Sequence, residues 1–431
     1  MSDLQACIDF LQRLIRTQSL PGREAEIAAV VQGEMEKLGY REIHMDDAGN
    51  VLGKVAGRGA APAMMFNTHL DHVDVGEPAA WPHPPFGAEI QDNRICGRGA
   101  VDIKGPLACQ VYGVARLLAN GTEPAGDIWV TATVQEEVGG LGARHMCGYI
   151  ETPLVIIGEP SRCTLRRGHR GRTELIVHST GRSVHASVPH EGVNALDPIA
   201  RFIIELAGLQ MRSDPDLGTS TCVPSLIRTD QTSGNVVPGE VWLTCDWRNV
   251  PGESGEDARR ALQEIADRAV AKSRAALAKA GGPAPDVAAG SGGPGAKIGG
   301  TAAGAASGGA AAPVPSLEVT ITAVDRTSFT GMQMRYAADN PAYIVRADHP
   351  SLAAAKRALD AALGRDVPID VWQFATDGGH FALEGMTCVG FGPGDELLAH
   401  TINEAIGIDE VEAGLAGNEA LARALDARMA M

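Results

Sequence analysis

The 431-residue chain is too long for one hydrophobic core of ordinary size, so two domains are expected. Its net charge of −16 argues against a nucleic-acid partner, because a phosphate backbone demands a basic face. With 44% hydrophobic and 21% charged residues the composition is ordinary for a globular protein, and no apolar run approaches the roughly 18 residues of a membrane span.

The first predicted helix runs from about Asp3 to Arg16, where apolar residues recur at helical spacing, and a second from about Arg23 to Leu38. The N-terminus has no basic segment and no long apolar stretch, so it does not read as a signal peptide. The eight cysteines are scattered without a CxxC pair, which suits free thiols in a reducing compartment and a cytoplasmic location. Short apolar runs follow: NVLGKVAG, AMMFNTH, DIWVTATVQ and PLVIIGE, with a helical GPLACQVYGVARLLAN between the second and third. Strands alternating with helices predict an α/β domain whose sheet is mostly parallel and flanked by helices.

The texture changes after about Arg172. TELIVHSTG and EVWLTCDWRNV alternate like half-buried strands, NALDPIARFIIELAGLQ and GEDARRALQEIADRAVAKSRAALAKA read as helices, and SLEVTITAVD is a further strand. This predicts an inserted α+β domain at 173–338, with 1–172 and 339–431 forming the first domain. The tract at about 281–315 is nearly all Gly, Ala, Pro and Ser, offers no apolar face, and is expected to be a disordered loop. Beyond about Ala338 the α/β texture returns: DHPSLAAAKRALDAALG as helix, IDVWQFATDGG and GMTCVGFGPG as strands, and INEAIGIDEVEAGLAGNEALARALDARM as a closing helix.

Polar residues sit at the carboxyl ends of these apolar strands, where open α/β sheets place their ligands. NTHLDHVDV offers His69 and Asp71, GRGAVDIKG offers Asp102, TVQEEVGG offers Glu136 and Glu137, VIIGEPS offers Glu159, and LLAHTINE offers His400. Two imidazoles and three carboxylates match a site for two divalent ions, zinc, with cobalt or manganese as alternatives. Adjacent glutamates at a strand end are costly without a cation. GRGAVDIKG lacks the Lys-Ser/Thr ending of a P-loop, and no GxSxG nucleophile elbow is present. His83, between prolines, reads as a loop residue.

As a set and in this order, HLDHV, GRGAVDIKG, TVQEEVGG, GEPS and AHTINE resemble the motifs of the di-zinc deacylases and exopeptidases. That family includes acetylornithine deacetylase, succinyl-diaminopimelate desuccinylase, aminoacylase and glutamate carboxypeptidases. DVGEPAAWPHPPF and GHRGR also resemble its branch of hydrolases linked to selenium metabolism.

The resemblance implies that His69 and Glu159 hold one ion, Glu137 and His400 the other, and Asp102 bridges both. Asp71 matches the aspartate that accepts from the His69 ring and fixes its tautomer. Glu136 matches the general base for a metal-bridging water, passing that proton to the leaving amine. His72 and Asp74 need no role, and His72 reads as structural or cleft-facing.

In the inserted domain, GRSVHASVPHEGVNA resembles the dimerisation segment, whose histidine, here His185, reaches the active site of the partner in a homodimer. Asn235 and Arg248, in SGNVVPGEVWLTCDWRN, match residues facing substrate, with Arg248 suited to clamp a carboxylate. Gly378 and Gly379 in ATDGGHF match glycines whose amides approach substrate, and His380 is unassigned. The implied activity is cleavage of the amide of a small N-acyl amino acid or dipeptide-like substrate with a free carboxylate. The alternatives are an N-carbamoyl amino acid amidohydrolase, a dipeptidase or carboxypeptidase, and a catalytically silent binding protein of the same fold. Glutamate rather than aspartate at 159 favours deacylases over aminopeptidases, and the intact Glu136–Glu137 pair argues against a silent protein.

Overall fold

The computed structural model describes residues 3–59, 64–279 and 315–425; the Gly/Ala-rich tract lies outside them apart from Pro315. A nine-stranded mixed sheet forms the larger unit. From one edge its strands run Arg41–Met45, Val51–Val55, Ile128–Thr133, Met64–His69, Leu154–Ile157, Thr387–Gly390, Leu165–His169 and Tyr343–Ile344, with Ile369–Trp372 also on Leu165–His169. The sheet is mixed: its centre, from Ile128–Thr133 to Thr387–Gly390, is parallel as expected, Ile369–Trp372 also runs parallel to Leu165–His169, and the remaining pairs towards the two edges are antiparallel. Every residue of Met64–His69 and Leu154–Ile157 is buried, which explains their unbroken apolar runs. Because these central strands run parallel, His69 and Glu159 emerge at the same edge of the sheet.

Helices Asp3–Arg16, Gly105–Ala119, Pro350–Leu363 and Ile408–Ala424 pack on one another beside the sheet. Their lengths match the sequence periodicity, since each carries an apolar stripe that only a core can bury. The closing helix begins at Ile408, not Ile402 as the pattern suggested. Ala405–Gly407 instead forms a small sheet with Arg94–Cys96 and Glu89–Gln91, and Glu404 is committed to contacts outside any helix.

The second unit is a sheet ordered Thr221–Thr229, Glu240–Arg248, Arg172–Thr180 and Ser316–Ile321. Alternate residues of Arg172–Thr180 and Glu240–Arg248 are buried. They meet helices Leu196–Leu206 and Gly255–Lys279 in a separate core that includes Leu175, Phe202, Trp247 and Leu262. The hairpin Ala323–Thr327/Gln333–Ala337 behaves differently. Val324, Phe329, Met334 and Tyr336 pack on the larger core, and Gln135 Nε2 donates to Thr327 O at 2.9 Å. By packing, this hairpin sides with the first domain although it precedes residue 339.

Candidate metal centre

The parallel centre of the sheet gathers five side chains into two triads. His69, Asp102 and Glu159 place ligand atoms within 4.8 Å of one another, as do Asp102, Glu137 and His400. Asp102 belongs to both, and each triad uses a different oxygen. Its Oδ1 lies 3.1 Å from His69 Nε2 and its Oδ2 3.1 Å from His400 Nε2. Glu159 Oε1 is 3.6 Å from His69 Nε2, and Glu137 Oε1 is 3.1 Å from His400 Nε2.

Local sequence sets this geometry. Gly158 follows the strand Leu154–Ile157, and a Cβ there would stand 2.4 Å from Thr68 Cγ2 and 2.6 Å from Gln110 Nε2. Glycine therefore lets Glu159 leave its strand beside the end of the His69 strand. The Asp71 carboxylate accepts the backbone N–H of Glu136 on Oδ1 and that of Glu137 on Oδ2, each at 3.1 Å. His69 Nδ1 faces the Asp71 carbonyl at 3.1 Å and Oδ1 at 3.4 Å, so Nδ1 carries the hydrogen and Nε2 is the ligand nitrogen. Glu404 accepts the backbone N–H groups of Val101 and Asp102 at 3.0 and 3.1 Å, fixing the turn that carries Asp102.

The electrostatics call for cations. Burial raises the carboxyls of Glu136 and Glu159 well above the usual range, and neighbouring carboxylates push them further. Glu137 rises to about 7, through burial first and the charge of Asp102 second. Asp102 is held well below the usual range: burial opposes this, but hydrogen bonds from His400 and His69 outweigh it. His400 rises to about 10 through its hydrogen bonds to Asp102 and Glu137. Burial disfavours charge on His69, yet Asp102 and Asp71 hold its pKa well above the normal value. Without cations, a cluster this acidic binds protons to relieve its repulsion. Imidazole nitrogens and carboxylate oxygens in two triads sharing one carboxylate fit two divalent ions.

A cavity of about 240 Å³ opens beside the cluster. It is reached by Glu136 and walled further by Phe374, Ala375, Glu396 and Ala399.

The other expected residues lie elsewhere. His185 is exposed in a two-residue strand, with Nδ1 2.7 Å from Ser187 Oγ. The Asn235 side-chain oxygen accepts from Ser233 at 2.6 Å. Arg248 Nε donates to Asp246 at 2.6 Å on the face of the second sheet away from its helices. Gly378 and Gly379 have hydrogen-bond partners within the chain. Their N–H groups donate to Thr376 Oγ1 and Thr376 O, and both residues are buried at the start of a short helix. Close packing requires glycine at 379, where a Cβ would stand 2.1 Å from Pro341 O. His72 is structural rather than cleft-facing, buried with Nε2 accepting the Ser19 N–H at 3.0 Å. His83 occupies a bend, 3.4 Å from Glu89.

Sequence reading missed Asp377 and Glu404, although both stood inside motifs already singled out. Asp377 is buried behind Glu136, accepts from Thr133 Oγ1 at 2.7 Å, and rises to about 6 through burial. A carboxylate directly before two glycines was the signal. Among the described residues no helix is long and apolar enough to cross a membrane.

Comparison with known proteins agrees with this geometry. The chain is 29% identical to Escherichia coli YgeY over 403 residues, 92% of this chain and 88% of that one. It is 30% identical to a succinyl-diaminopimelate desuccinylase of Rhodospirillum rubrum over 272 residues, 56% of this chain and 68% of the other. The fold matches the Bacillus cereus aminopeptidase PepT with a TM-score of 0.70 at 18% identity, covering 97% of this chain and 98% of that one. The sequence model for peptidase family M20/M25/M40 matches residues 65–424, and the chain belongs to that family of hydrolases acting on amide and peptide bonds.

Proposed function

We propose that the protein is a two-metal amidohydrolase that removes the acyl group from a small N-acyl amino acid or dipeptide-like substrate with a free carboxylate. The observation that carries this reading is Asp102 shared between two triads, with Glu136 in the adjoining cavity. When bound, the ions, which we take to be zinc, polarise the scissile carbonyl and lower the pKa of water. Glu136 is anchored through its backbone by Asp71 and stands outside both triads. It takes the proton of the attacking water and returns it to the departing amine. Burial first, and then the nearby carboxylates of Asp377, Glu159 and Glu137, raise its proton affinity before any ion is bound.

Arg248 and Asn235 would receive the substrate carboxylate, with His185 supplied by a partner subunit. Dimerisation is supported by the open edge strand Thr221–Thr229, which exposes Val223, Leu226 and Ile227, and by Ile204 on the neighbouring helix. Unpaired strand edges with apolar side chains favour pairing with another chain.

The test is turnover after chelation and re-addition of zinc, cobalt or manganese. The panel holds N-acetyl, N-succinyl, N-formyl and N-carbamoyl amino acids with a few dipeptides. Metal-restored activity on one acyl class is expected. Ammonia and carbon dioxide from N-carbamoyl substrates alone would replace deacylation by carbamoyl hydrolysis. Silence with no metal bound would overturn the ligand assignment.

A further inference from the structure

We propose that Glu404 is a positioning residue that ties Asp102 and His400 together, so that one of the two ion positions depends on it far more than the other. The inference rests on the reading of the site as a two-ion centre.

Glu404 is fully buried, and its two oxygens do different work. Oε1 accepts the N–H groups of Val101 and Asp102 at 3.0 and 3.1 Å. Oε2 meets Arg98 Nη1 at 2.5 Å. The Arg98 side chain is only 3% exposed, lies 4.9 Å over the Trp81 ring, and reaches the Asp74 carbonyl at 3.4 Å. The Glu404 carbonyl accepts from the Gly97 N–H at 3.0 Å. Glu404 thus stitches the turn carrying Asp102 to the loop carrying His400, four residues upstream.

The two triads need this stitch unequally. His69 ends a central strand and Glu159 lies just past another, so the sheet holds them. His400 lies on a loop, is 51% exposed, and adopts a left-handed backbone with φ +62°. The triad Asp102–Glu137–His400 therefore takes two of its three ligands from segments that Glu404 joins. The triad His69–Asp102–Glu159 takes one. Groups that orient metal ligands commonly account for 10–100-fold in affinity.

The test is metal binding rather than turnover. Full-length protein stripped of metal would be titrated with Co²⁺ by equilibrium dialysis, with the visible absorption recorded at each step. Wild type is compared with Glu404→Leu, which removes the acceptor of the Val101 and Asp102 N–H groups, and with the double variant Arg98→Met/Glu404→Leu. The double variant removes both members of the buried ion pair, so no unpaired guanidinium is left to unfold the chain. Expected are two ions on wild type. In each folded variant one ion should bind with wild-type affinity and spectrum and the other about 10–100-fold more weakly. Wild-type affinity at both positions, or equal weakening at both, overturns the proposal. Wild-type protein that takes up no second ion overturns the two-ion reading itself, and this inference with it.

Discussion

Asp71 holds Glu136 by its backbone: the Asp71 carboxylate accepts the Glu136 N–H at 3.1 Å and, through its other oxygen, that of Glu137 at the same distance. The proposed general base and a candidate metal ligand are thereby set by one buried side chain that also faces the His69 ring. Asp71→Asn replaces one acceptor by an amide N–H that must face a backbone N–H or the ring. A fall in kcat of roughly 10–100-fold, with weakened metal binding, is expected. Steady-state kinetics and metal analysis of the purified variant check it.

Glu136→Gln keeps the shape of the loop and removes the proton acceptor. Turnover should fall by roughly 10²–10⁴-fold while metal content stays at the wild-type level. Turnover near wild type would show that another group takes the proton.

Arg248→Ala tests carboxylate recognition. A charge-assisted hydrogen bond of about 1.5–3 kcal/mol corresponds to roughly a 10–100-fold loss in kcat/KM on substrates with a free carboxylate. The matching amide or ester should be little affected. Equal losses on both would remove Arg248 from this role.

His169 gives a pH dependence of stability. It is fully buried, its Nδ1–H donates to Arg170 O at 3.0 Å, and its Nε2 accepts the Thr376 N–H at 3.1 Å. Protonating Nε2 would set two N–H groups against each other, and burial lowers the pKa to about 4. The unfolded chain takes up the proton near the ordinary value of about 6.5 while the native state refuses it. Stability is therefore full above that value and falls as pH drops towards 4, by on the order of 3 kcal/mol. Denaturant melts between pH 7 and 4 should show His169→Gln with a shallower decline than wild type.

Much of the site was legible because each of its ligands stands in a short motif at the end of or just past an apolar strand, or in a turn beside one. His69, Asp102, Glu137, Glu159 and His400 are each read from a short motif, and the parallel sheet brings those motifs to one edge. The positions of Gly378 and Gly379 were legible, but the packing that requires glycine at 379 was not. A glycine before a ligand cleft and a glycine under a carbonyl oxygen look alike until the Pro341 carbonyl is located. Glu404 was hidden for a related reason. INEAIG has helical composition, and contacts distant in sequence, with Arg98, Val101, Asp102 and the strand Arg94–Cys96, hold it as a loop and strand. The alternating strands of the second unit were plain, since one face meets helices and the other does not. The antiparallel edge strands of the large sheet, Arg41–Met45 and Tyr343–Ile344, were not, because they are too short to show a pattern of their own.

The hairpin at 323–337 changes where this chain can be divided. Phe329 presses on Gly49, where a Cβ would come within 2.5 Å of its ring, and Arg144 stacks 4.5 Å over Tyr336. A truncation made at 172 and 339 would carry away part of the wall of the larger core and leave Gly49 and Arg144 facing water. A block exchanged between relatives as a working module would break the chain before Ala323, leaving the hairpin with the sheet it covers. The larger unit is thus drawn from two stretches of sequence, the second beginning at Ala323 rather than at residue 339.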